Sequence, residues 1–285
     1  MKNDIQIYIS KTRKNIFSKF TNFCATNHSA PLAIKLKVLN ACLVSTILYG
    51  CECWGSYIPK EIESLYRMAI KTALSVRSNT NNEIIYIEAG LYPLECLIRK
   101  RQLKFWLELE SNTNNQVITY VLRKAEERNL KFASHYKNLK QRYQTPTNCV
   151  ITLQEDFKRK WKLTIETKFS NDPISRLGTY LEVNPRLENY QENLEITELE
   201  RIILTRFRTG AHNLKIECGR HIGLERDLRL CNCEQSIQTV KHIVFNCTLL
   251  DGIRRHNFNT LKEFLESKNA VKFLVNAMKV LKIKL

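Results

Sequence analysis

Leu32, Leu36, Leu39, Leu43 and Ile47 recur every three or four residues directly after Ser29 and Pro31. Ser then Pro at the head of an apolar run marks a helix start, and this spacing keeps the leucines on one face. Val38, Val44 and Leu48 fill the other side, so the expected helix is apolar most of the way round and belongs in a core. It should stop at Gly50, where "LYGCECWG" forms a compact aromatic and cysteine cluster. The same period recurs along the chain, and 8 Gly and 6 Pro in 285 residues are too few for a sheet-rich or disordered protein. The expected fold class is mainly α.

Pro59 opens a second amphipathic helix through Ile62, Leu65, Met68, Ala69 and Ala73. A turn at Gly90 and a long helix after Pro93 follow, with Leu94, Leu97, Leu103, Trp106 and Leu107 on one face and Arg99, Lys100, Arg101 and Lys104 beside them. Val117 to Leu130 and "LQEDFKRKWKLTIETKF" also read as helices. The Pro-containing polar stretches Thr145 to Asn148 and Asn184 to Asn193 read as connections. Thr197 and Glu200 form a capping box before Leu199, Ile203 and Phe207, in a helix that stops at Gly210. Phe207 sits at helical spacing with Ile203, which makes it a core residue before a base-stacking one. From Leu261 to Leu285 the helical period returns.

The N-terminal residues are broken by charges and contain no signal-peptide core. The longest apolar stretch, Val38 to Tyr49, is shorter than the ~20 residues a spanning helix needs. An intracellular chain without a membrane partner is expected, nuclear or cytoplasmic, in which the 10 cysteines stay reduced. Forty-five Lys and Arg against 28 Asp and Glu give a formal charge of +17, which favours polyanionic partners.

Four residues stand apart from the helical pattern. Cys231, Cys233, His242 and Cys247 are spaced C-x-C-x8-H-x4-C, two close ligand pairs joined by a spacer. Structural zinc sites have this form, with one pair on a turn and the other on a helix. A helix starting near Gln238 would carry His242 and Cys247, and Val240, Ile243, Val244 and Leu250 would pack beneath it. Zn2+ is the expected structural cofactor. Cys218 and His221 are alternative ligands, whereas Cys51 and Cys53 lack a third partner nearby and read as buried thiols. Arg201, Arg206, Arg208, Lys215, Arg220, Arg229, Arg254 and Arg255 surround the cluster and are candidates for phosphate contacts with RNA or DNA. Salt bridges to Glu200, Glu217, Glu225 and Asp227 compete for some of these cations. No nucleophile elbow, phosphate-cradling Gly loop, metalloprotease motif or adjacent aspartate pair is present, and four protein ligands leave a zinc ion no open position.

Three stretches carry a resemblance. "STILYGCECWG", with Leu48, Tyr49, Gly50, Glu52 and Trp54, resembles the segment just beyond the palm of reverse transcriptases from non-LTR retrotransposons. "EAGLYPLECLIRKRQLKFW", with Glu88, Gly90, Pro93, Arg101, Phe105 and Trp106, is similar to their next block. "LTRFRTGAHNL" and "CGR", with Arg206, Arg208, Gly210, His212, Leu214, Gly219 and Arg220, followed by the Cys-Cys-His-Cys cluster, resemble their C-terminal knuckle region. The family often has C-x2-C as its first ligand pair, where this chain has C-x-C.

The resemblance implies a thumb-like helical bundle over residues 1–110, a helical linker over 111–192, a small zinc knuckle with its Arg-rich helix over 193–255, and C-terminal helices over 256–285. It also implies that the polymerase aspartates, the fingers and the endonuclease belong before the matched region. This chain alone is therefore expected to bind nucleic acid without polymerising DNA. The alternatives are a portion of an active reverse transcriptase encoded upstream, and a recruited helical scaffold that binds proteins.

Overall fold

The computed structural model describes the chain except residues 1–10, 55–57, 112–114, 144–148, 172–175, 185–186, 188–195, 256–257 and 285. The expected connection at Thr145 to Asn148 lies outside the described residues, as does most of that at Asn184 to Asn193. The fold is all-α. Every extended element among the described residues is helical, and the one β-bridge pairs Leu230 with Ile237. No described helix is long and apolar enough to cross a membrane.

The chain forms two compact units. The first lies within Met1–His28, Ala33–Ala73 and Leu91–Glu166, and the second within Ser29–Leu32, Leu74–Gly90 and Thr167–Leu285. This division differs from the sequence-derived boundaries, because Leu74–Gly90 groups with the C-terminal part rather than with the helices on either side of it.

In the first unit, the leucine-rich helix runs from Leu32 to Ile47, with its middle, Leu39–Val44, widened into a π-helix. There the hydroxyls of Ser45 and Thr46 donate to the carbonyls of Ala41 and Cys42 at 2.5 and 2.8 Å, a back-bonding that competes with the α-helical ladder. Only one face is buried, through Leu39, Leu43 and Ile47, while Ile34 and Tyr49 are exposed. The helix is amphipathic rather than enclosed. Cys51 is buried as expected, and its carbonyl accepts from Gln102 Nε2 at 3.2 Å. The Leu94–Ser111 helix packs Cys96, Leu103 and Trp106 against Tyr136, Leu139 and Tyr143 of the Lys131–Tyr143 helix and Leu153 and Phe157 of the Cys149–Asn171 helix. Trp106 and Tyr136 stack with ring centroids 4.8 Å apart.

The second unit is organised by the Glu198–Thr209 helix. Its N-terminus has the expected capping box, with the Thr197 side chain accepting from Glu200 N and the Glu200 carboxylate accepting from Thr197 N at 2.8 Å. It ends at Gly210 in the left-handed region, φ 69°, which glycine adopts without steric cost. Ile203, Leu204 and Phe207 enter a core completed by Leu214, Val240, Ile243, Val244, Phe264, Phe273, Leu274 and Met278. The C-terminal region is two helices, Leu261–Glu266 and Ala270–Val280.

One short helix, Asn82–Ala89, was not anticipated. Asn81 caps it, accepting from the amides of Glu83 and Ile84, and Gly90 closes it with φ 63°. Its Glu88 meets Arg208 of the organising helix. Both side chains are 0% exposed, with Arg208 Nη2 2.7 Å from Glu88 Oε1. Removing one member of such a pair leaves a buried charge uncompensated, at a cost of about 3 to 5 kcal/mol. Arg208→Met should therefore lower the urea midpoint strongly, and Arg208→Met with Glu88→Leu should recover much of the loss. Strictly additive effects in that cycle would show that the pair is not coupled.

Candidate metal centre

The site begins as a turn. Leu230 and Ile237 pair across it, Cys231 N donates to Ser236 O at 2.8 Å, and Glu234 N donates back to Cys231 O at 2.9 Å with Glu234 itself at φ 60°. This tight reversal points Cys231 and Cys233 to the same side despite the single residue between them. The other pair comes from the Val240–Phe245 helix, capped by Thr239, whose side chain accepts from His242 N at 3.0 Å. The helix ends at once, and Cys247 N donates to His242 O at 2.8 Å, which folds Cys247 back toward the imidazole.

The four ligand atoms lie within 4.8 Å of one another. Cys231 Sγ is 3.6 Å from Cys247 Sγ, and Cys233 Sγ is 3.2 Å from His242 Nε2. Ligands held at about 2.0 to 2.3 Å by one tetrahedral ion stand about 3.3 to 3.8 Å apart. The sulfur pair at 3.6 Å lies in that range, the sulfur–nitrogen pair at 3.2 Å is slightly closer, and the set as a whole, within 4.8 Å, is compact enough to close on one ion. Cys231, Cys247 and His242 are 1%, 0% and 5% exposed, and Cys233 is the accessible member.

Burial lowers the His242 pKa, and the nearby Arg254 cation lowers it further, so the ring is neutral and free to donate a lone pair. Burial alone would raise the Cys233 thiol, but hydrogen bonds from the Gln235 amide and from Cys231 and Cys247 bring it below its usual value. Cys247 is pushed up to about 12 by burial and by its neighbour Cys231.

A second layer holds the ligands. Buried Gln238 reaches within 3.8 Å of Cys231 Sγ while its Oε1 accepts from Lys215 N at 2.8 Å. Arg254 donates to the carbonyls of Val244 and Cys247 at 3.0 and 2.7 Å. Arg229 donates to Leu224 O at 2.9 Å and Ile216 O at 3.0 Å. Neither Gln238 nor these carbonyl contacts have a spacing signature, and so the sequence did not single them out.

The expected phosphate-contacting arginines do not form one surface. Arg208 is buried on Glu88, Arg201 is buried with Glu198 at 2.8 Å, and Arg229 is buried on carbonyls. Arg254 is occupied by carbonyls and by Asp251. Each of these guanidiniums supplies donors to acceptors that burial would otherwise leave unmet. Arg206 is half-buried and donates to Ser75 O at 3.0 Å. Arg220 faces Glu217 at 3.6 Å and keeps part of its surface, and Lys215 and Arg255 are exposed. Cys218 and His221 lie apart from the four ligands; the Cys218 thiol donates to Asn213 O at 3.3 Å and His221 is exposed beside Asn79. Phe207 is a core residue, with its ring 5.0 Å from that of His212.

Fold and site together define an all-helical protein with a Cys3His cluster that could hold a metal ion. Compared with known protein families, curated proteins and solved structures, the chain matches none.

The layer behind the ligands is tightly built at Gly219, where a Cβ would fall 2.7 Å from Cγ of Arg229. Gly219→Ala should displace Arg229 from its carbonyls and cost about 1 to 3 kcal/mol. Thermal unfolding checks this, and an unchanged midpoint would mean that Arg229 moves aside freely.

Proposed function

We propose that the chain is a nucleic-acid-binding protein whose C-terminal part is organised around one structural zinc ion. On the resemblance of its three sequence blocks, it would be the thumb, linker and knuckle portion of a non-LTR retrotransposon reverse transcriptase. The observation that carries the metal reading is the closed set of three sulfurs and one imidazole nitrogen within 4.8 Å. Soft thiolates with one imidazole suit zinc, and four protein ligands make the ion structural rather than catalytic.

The nucleic-acid reading is supported by the charge of +17 and by where accessible cations lie. From Ser267 to Leu285 the chain carries Lys268, Lys272, Lys279, Lys282 and Lys284 without a single Asp or Glu. All of these lysines are exposed. Lys272 and Lys279 sit two turns apart on one side of the Ala270–Val280 helix, and the opposite side of that helix packs into the core beneath the Cys3His cluster. Lysines of this kind act as point charges on phosphates, giving sequence-independent binding that weakens steeply with salt.

A protein-binding scaffold is the second reading. It is favoured by exposed Val117, Tyr120 and Val121, which share one face of the Gln116–Glu127 helix.

Purified chain should contain one zinc per molecule by elemental analysis, and Cys233→Ser should lose most of it; an unchanged content would remove the metal from this site. Titration of the whole chain against single-stranded RNA and duplex DNA should give affinities that fall as salt rises. Lys272→Glu with Lys279→Glu should flatten that slope by roughly one to two, about 0.7 to 0.9 for each phosphate that is no longer neutralised. Absent or salt-insensitive binding would favour the scaffold.

A further inference from the structure

Arg77 and Arg206 differ from most of the arginines around them in what they meet. Arg201, Arg208, Arg220 and Arg254 each face a carboxylate. Arg77, in the loop before Asn82, instead donates through Nη2 to the side-chain carbonyl of Asn213 and lies 4.0 Å from Cys218 Sγ. Arg206 donates through Nε to Ser75 O. Both side chains are half-buried, and among the described residues neither meets a carboxylate. The two cations flank Asn213, which accepts from Arg77 and lines a small hollow with Arg206, and after burial the charge of Arg77 lowers the Arg206 pKa. Like charges brought together and solvated only by neutral acceptors are unfavourable unless an anion completes them.

The surroundings add positive charge and room. Asn213 Nδ2 donates to Lys284 O at 2.8 Å, and Lys284 shares a small hollow with Arg206, His212 and Asn213. Arg77 also lines a shallow, open groove at the surface together with Ser78, Asn79, Cys218 and His221. The Asn79 amide lies 3.0 to 3.1 Å from the His221 ring nitrogens. Among the described residues only Nη2 of Arg77 is engaged; both paired edges of a guanidinium include that nitrogen, so Nε and Nη1 remain as single donors, each able to reach one phosphate oxygen.

We propose that this groove is a phosphate-binding site, with Arg77 as its charged single-point donor, Arg206 as supporting charge, and Asn79 and His221 as the outer wall. A phosphate group could come from a nucleic-acid backbone or from a free phosphorylated compound, and the chemistry of recognition is shared. The groove is separate from Lys272 and Lys279, so it stands or falls independently of whether they bind nucleic acid.

Calorimetric titration of the full chain with pyrophosphate, and fluorescence anisotropy with a single-stranded RNA, distinguish the two sources. Arg77→Ala is expected to weaken one or both about tenfold or more, with Arg77→Lys recovering part of the loss because it keeps the charge. Since Arg77→Ala also relieves repulsion on Arg206, its thermal midpoint should not fall. Asn79→Asp provides a second variant, placing a negative charge on the exposed groove wall, and should weaken the same ligand. A loss confined to RNA assigns the site to a phosphodiester chain, and a loss confined to pyrophosphate assigns it to a free phosphate compound. If Arg77→Ala and Asn79→Asp leave both titrations unchanged, the proposal is wrong.

Discussion

The Arg208 guanidinium gives two hydrogen bonds to one oxygen of Glu88, Nε at 3.0 Å and Nη2 at 2.7 Å, wholly out of solvent. The Tyr180 hydroxyl donates to the same oxygen at 2.9 Å, and Asn184 Nδ2 donates to that hydroxyl at 3.2 Å. Burial holds the Tyr180 pKa well above its usual value, as does the Glu88 charge, so the phenol stays a donor. Three helices, Asn82–Ala89, Arg176–Val183 and Glu198–Thr209, are thereby tied at one point. A charged pair this deep accepts few alternative arrangements, because any slip would leave an ion buried alone. It fixes the roll of the Glu198–Thr209 helix. That roll turns Ile203, Leu204 and Phe207 into the core and leaves Arg206 beside Ser75. After Gly210 the chain continues to Leu214 and Lys215, whose amide reaches Gln238 behind Cys231. The Cys3His cluster is thus positioned through a chain of contacts that begins at Glu88.

Much of the fold was legible because helix ends are local events. Thr197 with Glu200, Pro59, Gly90 and Gly210 each act within a few residues, and the structure places a helix boundary at each. The ligand spacing was legible for the same reason, since a turn and one helical turn bring Cys231, Cys233, His242 and Cys247 together without help from distant sequence. The roles of the arginines were not legible. Arg208 and Glu88 are 120 residues apart, and a guanidinium in a sequence looks the same whether it faces solvent, a carbonyl or a buried carboxylate. The Asn82–Ala89 helix was missed because its residues Ile84 to Ala89 are buried all round, leaving no amphipathic period. The π-helical stretch at Leu39–Val44, next to the back-bonded Ser45 and Thr46, is a backbone feature that a hydrophobic pattern does not encode.

The residues that carry the sequence resemblance share a property within this chain: most have a partner that holds the fold. Glu52 pairs with Arg101 at 2.5 Å, and Glu88 pairs with Arg208. Gly50, Gly90 and Gly210 occupy left-handed positions, with φ from 63° to 69°. Trp106 stacks on Tyr136, His212 packs on Phe207, and Gly219 makes room for Arg229. These contacts demand fixed geometry, whereas surface lysines that act as point charges require neither fixed geometry nor fixed position.

The Cys3His cluster and the cationic C-terminal stretch are mechanically joined. Asn232, the single residue inside the C-x-C arm, donates through Nδ2 to Leu281 O at 3.2 Å, at the end of the helix that carries Lys272 and Lys279. Asn213, which accepts from Arg77, holds Lys284 O three residues further on. The ligand-bearing segment has only a six-residue helix and one β-bridge of its own, too little regular structure to be rigid unaided. In such a small module the free energy of metal binding is folding free energy. An ion held by the four ligands would stiffen the C-x-C arm and, through Asn232, the path of the chain from Leu281 to Lys284. The one-residue spacing between Cys231 and Cys233 then has a physical consequence. It makes the arm short enough that the intervening Asn232 side chain reaches Leu281 O at the end of the C-terminal helix, linking the ligand-bearing arm to the element that carries the lysines.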